Sequence, residues 1–284
     1  MKTSKTNGIL AFLLVAFIHT SSFAQKNVLF KAKFLPDKTY TTEIVNDMKM
    51  EMNFDVDSAK RKQMLDGGVK LPMHIDMLQE ISISTKTGAL TADKRVPLTI
   101  SYNKMGVTMK MQGKETKQPD QFVGMKIKAY ATADGKLEVD TIEGNITAEV
   151  KATMVKMISQ MLKSVQFPDK TMKIGDTFTQ EMPMVVPAGA TAMNLIIKVN
   201  YTLKEIIGKQ AMFDYTQNIS LNLATSHDNS SAAGSGTGTM NYSISEQYIT
   251  DTTSDLKMKL MITTAGTNIK IDVLAKSTIK TKIL

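Results

Sequence analysis

Apolar and polar residues alternate along most of this chain, the period of strands that bury one face and wet the other. Met48, Met50 and Met52 share one face of a first long segment from about Lys38 to Phe54, with Lys49 and Glu51 on the other. The pattern returns at Met73, Ile75 and Met77, and again at Met105, Val107, Met109 and Met111. Later segments carry it through Leu195, Ile197, Val199, Tyr201 and Leu203, through Ile219, Leu221 and Leu223, and through Leu256, Met258, Leu260 and Ile262. A last one carries Ile269, Ile271 and Val273. Turn words such as Ala133-Asp134-Gly135, Gly208-Lys209 and Ala265-Gly266-Thr267 separate these segments and predict an antiparallel meander.

One stretch follows a different period. From Asn145 to Val165 the apolar positions Ile146, Val150, Met154, Met157, Met161 and Val165 recur at helical spacing, widened by Val155, Ile158 and Leu162. Asn145 suits an N-cap and Phe167-Pro168 a stop. A second, short helix is expected from Asp57 to Asp66, closed by Gly67 and Gly68. The expected fold is mainly β (α+β), an antiparallel curved sheet or half-barrel meander with one long amphipathic helix packed on it.

At the N-terminus Lys2 and Lys5 precede the apolar run Ile9 to Ile18, followed by polar residues and Ser22-Phe23-Ala24. This order is that of a cleavable secretory signal, and an apolar core of about ten residues is too short to span a bilayer. Residues 1–24 are therefore expected to be removed, leaving an exported, soluble chain that starts at Gln25, works in the periplasm or outside the cell and has no transmembrane segment. Within it, residues 25–166 are expected to form an N-terminal β subdomain ending in the helix, and residues 167–284 a C-terminal antiparallel β subdomain. The words Phe34-Leu35-Pro36-Asp37-Lys38-Thr39 and Phe167-Pro168-Asp169-Lys170-Thr171 open the two halves and hint at duplication.

Cysteine is absent, so neither disulfides nor a lipid-modified cysteine can serve this chain. Loss of Lys2 and Lys5 leaves 33 basic against 27 acidic side chains, a mild charge of +6. The densest basic run, Lys60-Arg61-Lys62, has no interleaved aromatic residue, which argues against nucleic acid as a partner.

The segment Phe167-Pro168-Asp169-Lys170-Thr171-Met172-Lys173-Ile174-Gly175-Asp176-Thr177-Phe178 resembles the "pdk-x-vkiGDtf" segment of a family of uncharacterised exported β-rich proteins of Bacteroidetes-type bacteria. The order of the flanking words, Ala133 to Gly144 before the helix and Gly234 to Tyr242 before the last hairpin, is similar too, so the likeness spans most of the chain. It implies an envelope location and no particular activity. Read by itself, Gly175-Asp176 is a tight turn ahead of a strand.

Motifs for chemistry are sparse. His227, Asp228 and Ser230 adjoin in one loop without the strained turn that exposes a serine nucleophile, and His74 sits on the polar face of a strand. Gly234-Ser235-Gly236-Thr237-Gly238 has a phosphate-loop look, but Thr239 to Ile249 continues as strand where a helix is required, so glycine relief of strand crowding explains it better. Asp55, Asp57, Asp134, Glu138, Asp140 and Glu143 are scattered as solvated carboxylates would be. The expectation is no enzyme, no cofactor and no catalytic residue.

Methionine is the compositional anomaly: 22 in the whole chain, with no tryptophan. The words Met48-Lys49-Met50-Glu51-Met52, Met109-Lys110-Met111 and Met182-Pro183-Met184 could present thioethers to Cu(I), but no histidine or cysteine accompanies them, and no metal site is assigned. Flexible thioethers also suit a surface that repacks around varied apolar partners. The expected role is binding or carriage of an apolar, lipid-like ligand held between Met154, Met157 and Met161 of the helix and Met50 and Met109 of the sheet. The alternative is a structural or protein-interaction component of the envelope, with an envelope protein as partner and the methionines as plain core filling.

Overall fold

The computed structural model describes residues 27–118, 120, 122–132, 136–144, 165–188, 191–221, 230–264 and 267–284. The signal segment, the body of the expected long helix with Met154, Met157 and Met161, and the His227-Asp228 pair lie outside the described residues.

The alternating segments are strands. In chain order they are β1 (Thr39–Asp55), β2 (Met73–Thr87), β3 (Val96–Met111), β4 (Lys114–Gln118), β5 (Lys126–Ala131), β6 (Leu137–Glu143), β7 (Thr177–Ala188), β8 (Thr191–Ile207), β9 (Gln210–Leu221), β10 (Ser231–Ser243), β11 (Tyr248–Thr264) and β12 (Thr267–Ile283). Among the described residues one helix occurs, α1 (Ser58–Asp66), in the β1–β2 connection. It starts where expected: Asp57 caps it by accepting from the Lys60 amide at 2.8 Å, and Gly67 closes it by donating to the Gln63 carbonyl at 3.0 Å. It buries no side chain, so local capping rather than packing holds it.

All strands join one open, curved antiparallel sheet in the order β6-β5-β3-β2-β1-β12-β11-β10-β9-β8-β7, with the short β4 paired to β3. The first and last long strands therefore meet in the middle, from Tyr40 opposite Ile283 to Asp55 opposite Asn268. From that seam the N-terminal half runs outward to β6, and the C-terminal half returns inward from β7. The edge strand β7 carries Pro183 and Pro187, which lack the donor a further strand would need.

Strand period and register together give the sheet two unlike faces. Tyr40, Ile44, Met48, Met50 and Met52 of β1 share one face with Ile75, Met77 and Ile81 of β2 and with Ile271, Val273 and Ile279 of β12. Across β1 to β3 and β8 to β12, no Lys, Arg, Asp or Glu occupies a register position on this inner face. Charges line the outer face in pairs such as Lys259–Asp272, Lys276–Asp255 and Lys198–Glu181.

Two segments outside the sheet seal one end of the inner face. Val28 and Met172 exchange backbone hydrogen bonds of 2.9 and 2.8 Å, tying the N-terminal strap to the chain entering β7. Phe30 packs against Phe167, Phe213 and Tyr242 at ring separations of 5.3, 5.1 and 5.2 Å, an offset and edge-on cluster that anchors the strap. In the other half, Phe122 and the buried Met125 cover Tyr102, Ile127 and Ile142.

Gly234, Gly236 and Gly238 are interior residues of β10, as strand crowding requires. A Cβ on Gly236 would lie 2.5 Å from the Asp255 carbonyl and 2.8 Å from Gln217 Nε2. The side chains of β9 cross above β10 to reach β11: Tyr215 Oη donates to the Thr253 carbonyl at 2.7 Å, and Gln217 Nε2 donates to Ser254 Oγ at 2.7 Å. The glycines let the sheet curl tightly here. Gly175, at φ +93°, turns the chain into β7, and Asp176 Oδ2 accepts from the Lys173 amide at 2.9 Å. The two Phe-Pro-Asp-Lys-Thr-like words occupy unlike places, one leading into the central β1 and the other toward the edge strand β7.

Candidate functional site: a methionine face on the central strands

The candidate site is the part of the inner face carried by β1, β2, β3, β11 and β12 at the end away from the aromatic seal. It is built in rungs, because residues in register on neighbouring strands stand side by side on one face. One rung runs Met109, Met77, Met48, Ala275, Leu256. The next runs Met111, Ile75, Met50, Val273, Met258, and a third begins Met73, Met52, Ile271, Leu260. Met48, Met50, Met52, Met73, Met77 and Met109 are all half-buried, unlike the tightly enclosed Phe213, Leu203 and Tyr242 at the other end.

Of the residues picked from sequence, Met50 and Met109 share this face but stand in different rungs, two strands across and two residues along, roughly 12 Å apart. Met77 is the residue that links them, since it opposes Met109 on one side and Met48 on the other. Ile75, Val273 and Met258 complete the surroundings of Met50, and sequence reasoning did not bring them together with it. Strand period assigns each residue to a face, but only the β1–β12 pairing puts Val273 beside Met50.

A row of neutral polar side chains borders the methionine rungs. Asn46 Nδ2 donates to Gln79 Oε1 at 2.9 Å, and Ser277 Oγ donates to Asn46 Oδ1 at 2.7 Å. Ser254 stands opposite Ser277 and accepts from Gln217, carrying the row across five strands with β10 bridged at glycine. Past the row, Ile81, Met240 and Phe213 belong to the sealed end.

Tyrosines of the inner face are held neutral. Burial, aided by the neighbouring Tyr215 ring, pushes the Tyr201 phenol up to about 12. Burial also raises Tyr40, Tyr102, Tyr215, Tyr242 and Tyr248.

The residues with other candidate chemistry are placed elsewhere. His74 is exposed on the outer face, 3.8 Å from Glu51 Oε2. Glu143 pairs with Lys128 at 2.6 Å, Glu138 with Arg95 at 3.4 Å and Asp55 with Lys270 at 3.8 Å, while Asp57 caps α1. Among the described residues no group of three His, Cys, Asp or Glu could hold a metal ion. Two furrows of about 590 and 430 Å³ lie on the charged outer face, flanked by Lys257 and the exposed Leu274. The smaller one also reaches Met258 and Val273 of the second rung, and the other methionines of the candidate site line neither.

No protein-family model and no curated protein matches this chain. Among solved structures, one of lipovitellin, described for its lipid–protein interactions, overlaps 89% of this chain at 11% identity and TM-score 0.49. The chain spans about a quarter, 26%, of that lipovitellin chain. OccK5 (OpdH) and OpdQ of Pseudomonas aeruginosa overlap 89% and 88% of this chain, and 100% and 99% of their own, at 8% identity and TM-scores of 0.24 and 0.20. At these scores the likenesses carry no argument, and the functional reading rests on the sheet. No helix among the described residues is long and apolar enough to cross a membrane.

Proposed function

We propose that this protein is a non-enzymatic binding or carrier protein for an apolar, lipid-like ligand, working outside the cytoplasm after removal of residues 1–24. The observation that carries the reading is the set of half-buried methionine rungs on a charge-free sheet face. A core that is only filled is packed with stiff, enclosed side chains, as the aromatic end is; the methionine end is flexible, polarizable and incompletely covered. From Met109 to Leu256 the rung crosses four interstrand spacings, roughly 19 Å, the scale of an extended long acyl chain. Covering apolar surface of this kind gains about 25 cal/mol per Å² removed from water.

Organic extraction of the protein purified from its native source, followed by mass spectrometry, tests the reading. A stoichiometric acyl-chain molecule is the expected result. A ligand-free protein that also fails to take up a fluorescent acyl ester overturns it and favours a structural envelope component. Intact mass of the same sample reads the export proposal, with a chain starting at Gln25 expected and retention of residues 1–24 contrary to it.

A further inference from the structure

The polar row beside the methionine rungs has a direction. Ser277 donates to Asn46, and Asn46 donates to Gln79, so each amide is polarised the same way and the row strengthens toward β2. It ends on Gln79 Nε2, whose two N–H groups have no partner among the described residues. A free pair of neutral donors therefore stands at the boundary of an apolar face. Asn46 is two positions from Met48 on β1, and Gln79 two positions from Met77 on β2, so the donors and the first methionine rung are immediate neighbours on the inner face.

The charge around this point is equally informative. The long strands place no Lys, Arg, Asp or Glu on the face, and among the described residues the only cation that register brings to it is Lys114, which is exposed on β4 opposite Met111. Gln118 is the β4 residue nearest the row in register, so Lys114 stands four positions, roughly 13 Å, along the strand from it. A carboxylate seated at the row would lose water without gaining an opposite charge. A carbonyl that carries no net charge would gain the Gln79 donors at little desolvation cost.

Resting on the carrier reading above, we infer that the ligand is an uncharged acyl ester or acyl amide whose carbonyl accepts from Gln79 Nε2 and whose chain lies over the methionine rungs. Free fatty acid is disfavoured by the same row.

The test compares binding of radiolabelled monopalmitoylglycerol and of palmitate, ionised near pH 8, to the full chain and to Gln79→Glu. This substitution keeps the oxygen that accepts from Asn46 while removing both free donors, so the row and the fold are retained. Gln79→Met serves as a second variant that removes the donors without adding charge. The expected result is that the wild-type chain prefers the ester, and that each variant, still unfolding in one cooperative transition, binds the ester about tenfold more weakly. Equal or tighter binding of palmitate by the wild type, or ester binding unaffected in both variants, overturns the headgroup inference and leaves the carrier reading standing. Failure of the wild type to bind either lipid overturns both.

Discussion

Tyr242 on β10 grips the backbone of Lys31: its Oη donates to the Lys31 carbonyl at 2.7 Å and accepts from the Lys31 amide at 3.3 Å. One hydroxyl thus satisfies both polar groups of a strap residue that has no strand partner, and burial keeps that phenol protonated. Tyr242→Phe keeps the ring against Phe30 and removes both bonds. The expected cost is about 1–3 kcal/mol of unfolding free energy in urea, with earlier proteolytic cleavage of the strap than in the parent. An unchanged midpoint would show that the ring alone holds the strap.

A second prediction concerns the curl of the sheet at β10. The added methyl of Gly236→Ala meets the Asp255 carbonyl and the Gln217 amide at distances no real Cβ adopts, and one of those neighbours is backbone. The substitution should lower stability by at least about 1–3 kcal/mol, whereas Ser235→Ala, one residue away on the exposed face, should stay within about 0.5 kcal/mol. Thermal melts of the two variants side by side make the comparison.

A third prediction follows from the buried tyrosines. A phenol whose folded pKa lies above its unfolded value binds its proton more tightly when folded, so its stabilising effect is present below the unfolded value and is lost as pH rises through the folded one. With the Tyr201 phenol raised from 10.0 to about 12, unfolding free energy should fall between those two pH values. Tyrosinate absorbance should lag that of free tyrosine until the protein unfolds. Ionisation of all phenols near their ordinary value, with no loss of structure, would contradict the packing described for the inner face.

Much of the fold is legible in strand period and in caps. Met48, Met50 and Met52 fall on one face with Lys49 and Glu51 opposed, and Asp57 with Gly67 delimits α1, because both signals are local. The candidate site is legible only in part. Asn46 and Ser277, which join the polar row across the central seam, lie 231 positions apart, and alternation says nothing about which strands are neighbours. Met77 belongs to the methionine stripes visible in the sequence, yet its place between Met48 and Met109 depends on two registers. The strap from Val28 to Phe34 escapes notice for the converse reason: it pairs through one bridge and aromatic packing and carries no periodic pattern.

The contrast between the two ends of the inner face supplies the last prediction. Phe213 is fully enclosed, with Phe30, Phe167 and Phe178 around it, so Phe213→Ala should leave a cavity and cost about 3–5 kcal/mol. Met77 opposes Met48 and Met109 but is half-buried, so Met77→Gln, of similar length and shape, exchanges apolar surface for polar surface without opening a void. If the methionine rungs are a ligand surface, this variant should lose about tenfold in affinity for an acyl-chain probe while its unfolding free energy changes by less than about 1 kcal/mol. If they are core, the polar amide would be buried without a partner, and stability should drop by about 1–3 kcal/mol. Urea unfolding and fluorescent acyl-ester binding, measured on the same preparation, separate the two outcomes. A variant that is destabilised, from a parent that never bound the probe, would assign the methionines to packing.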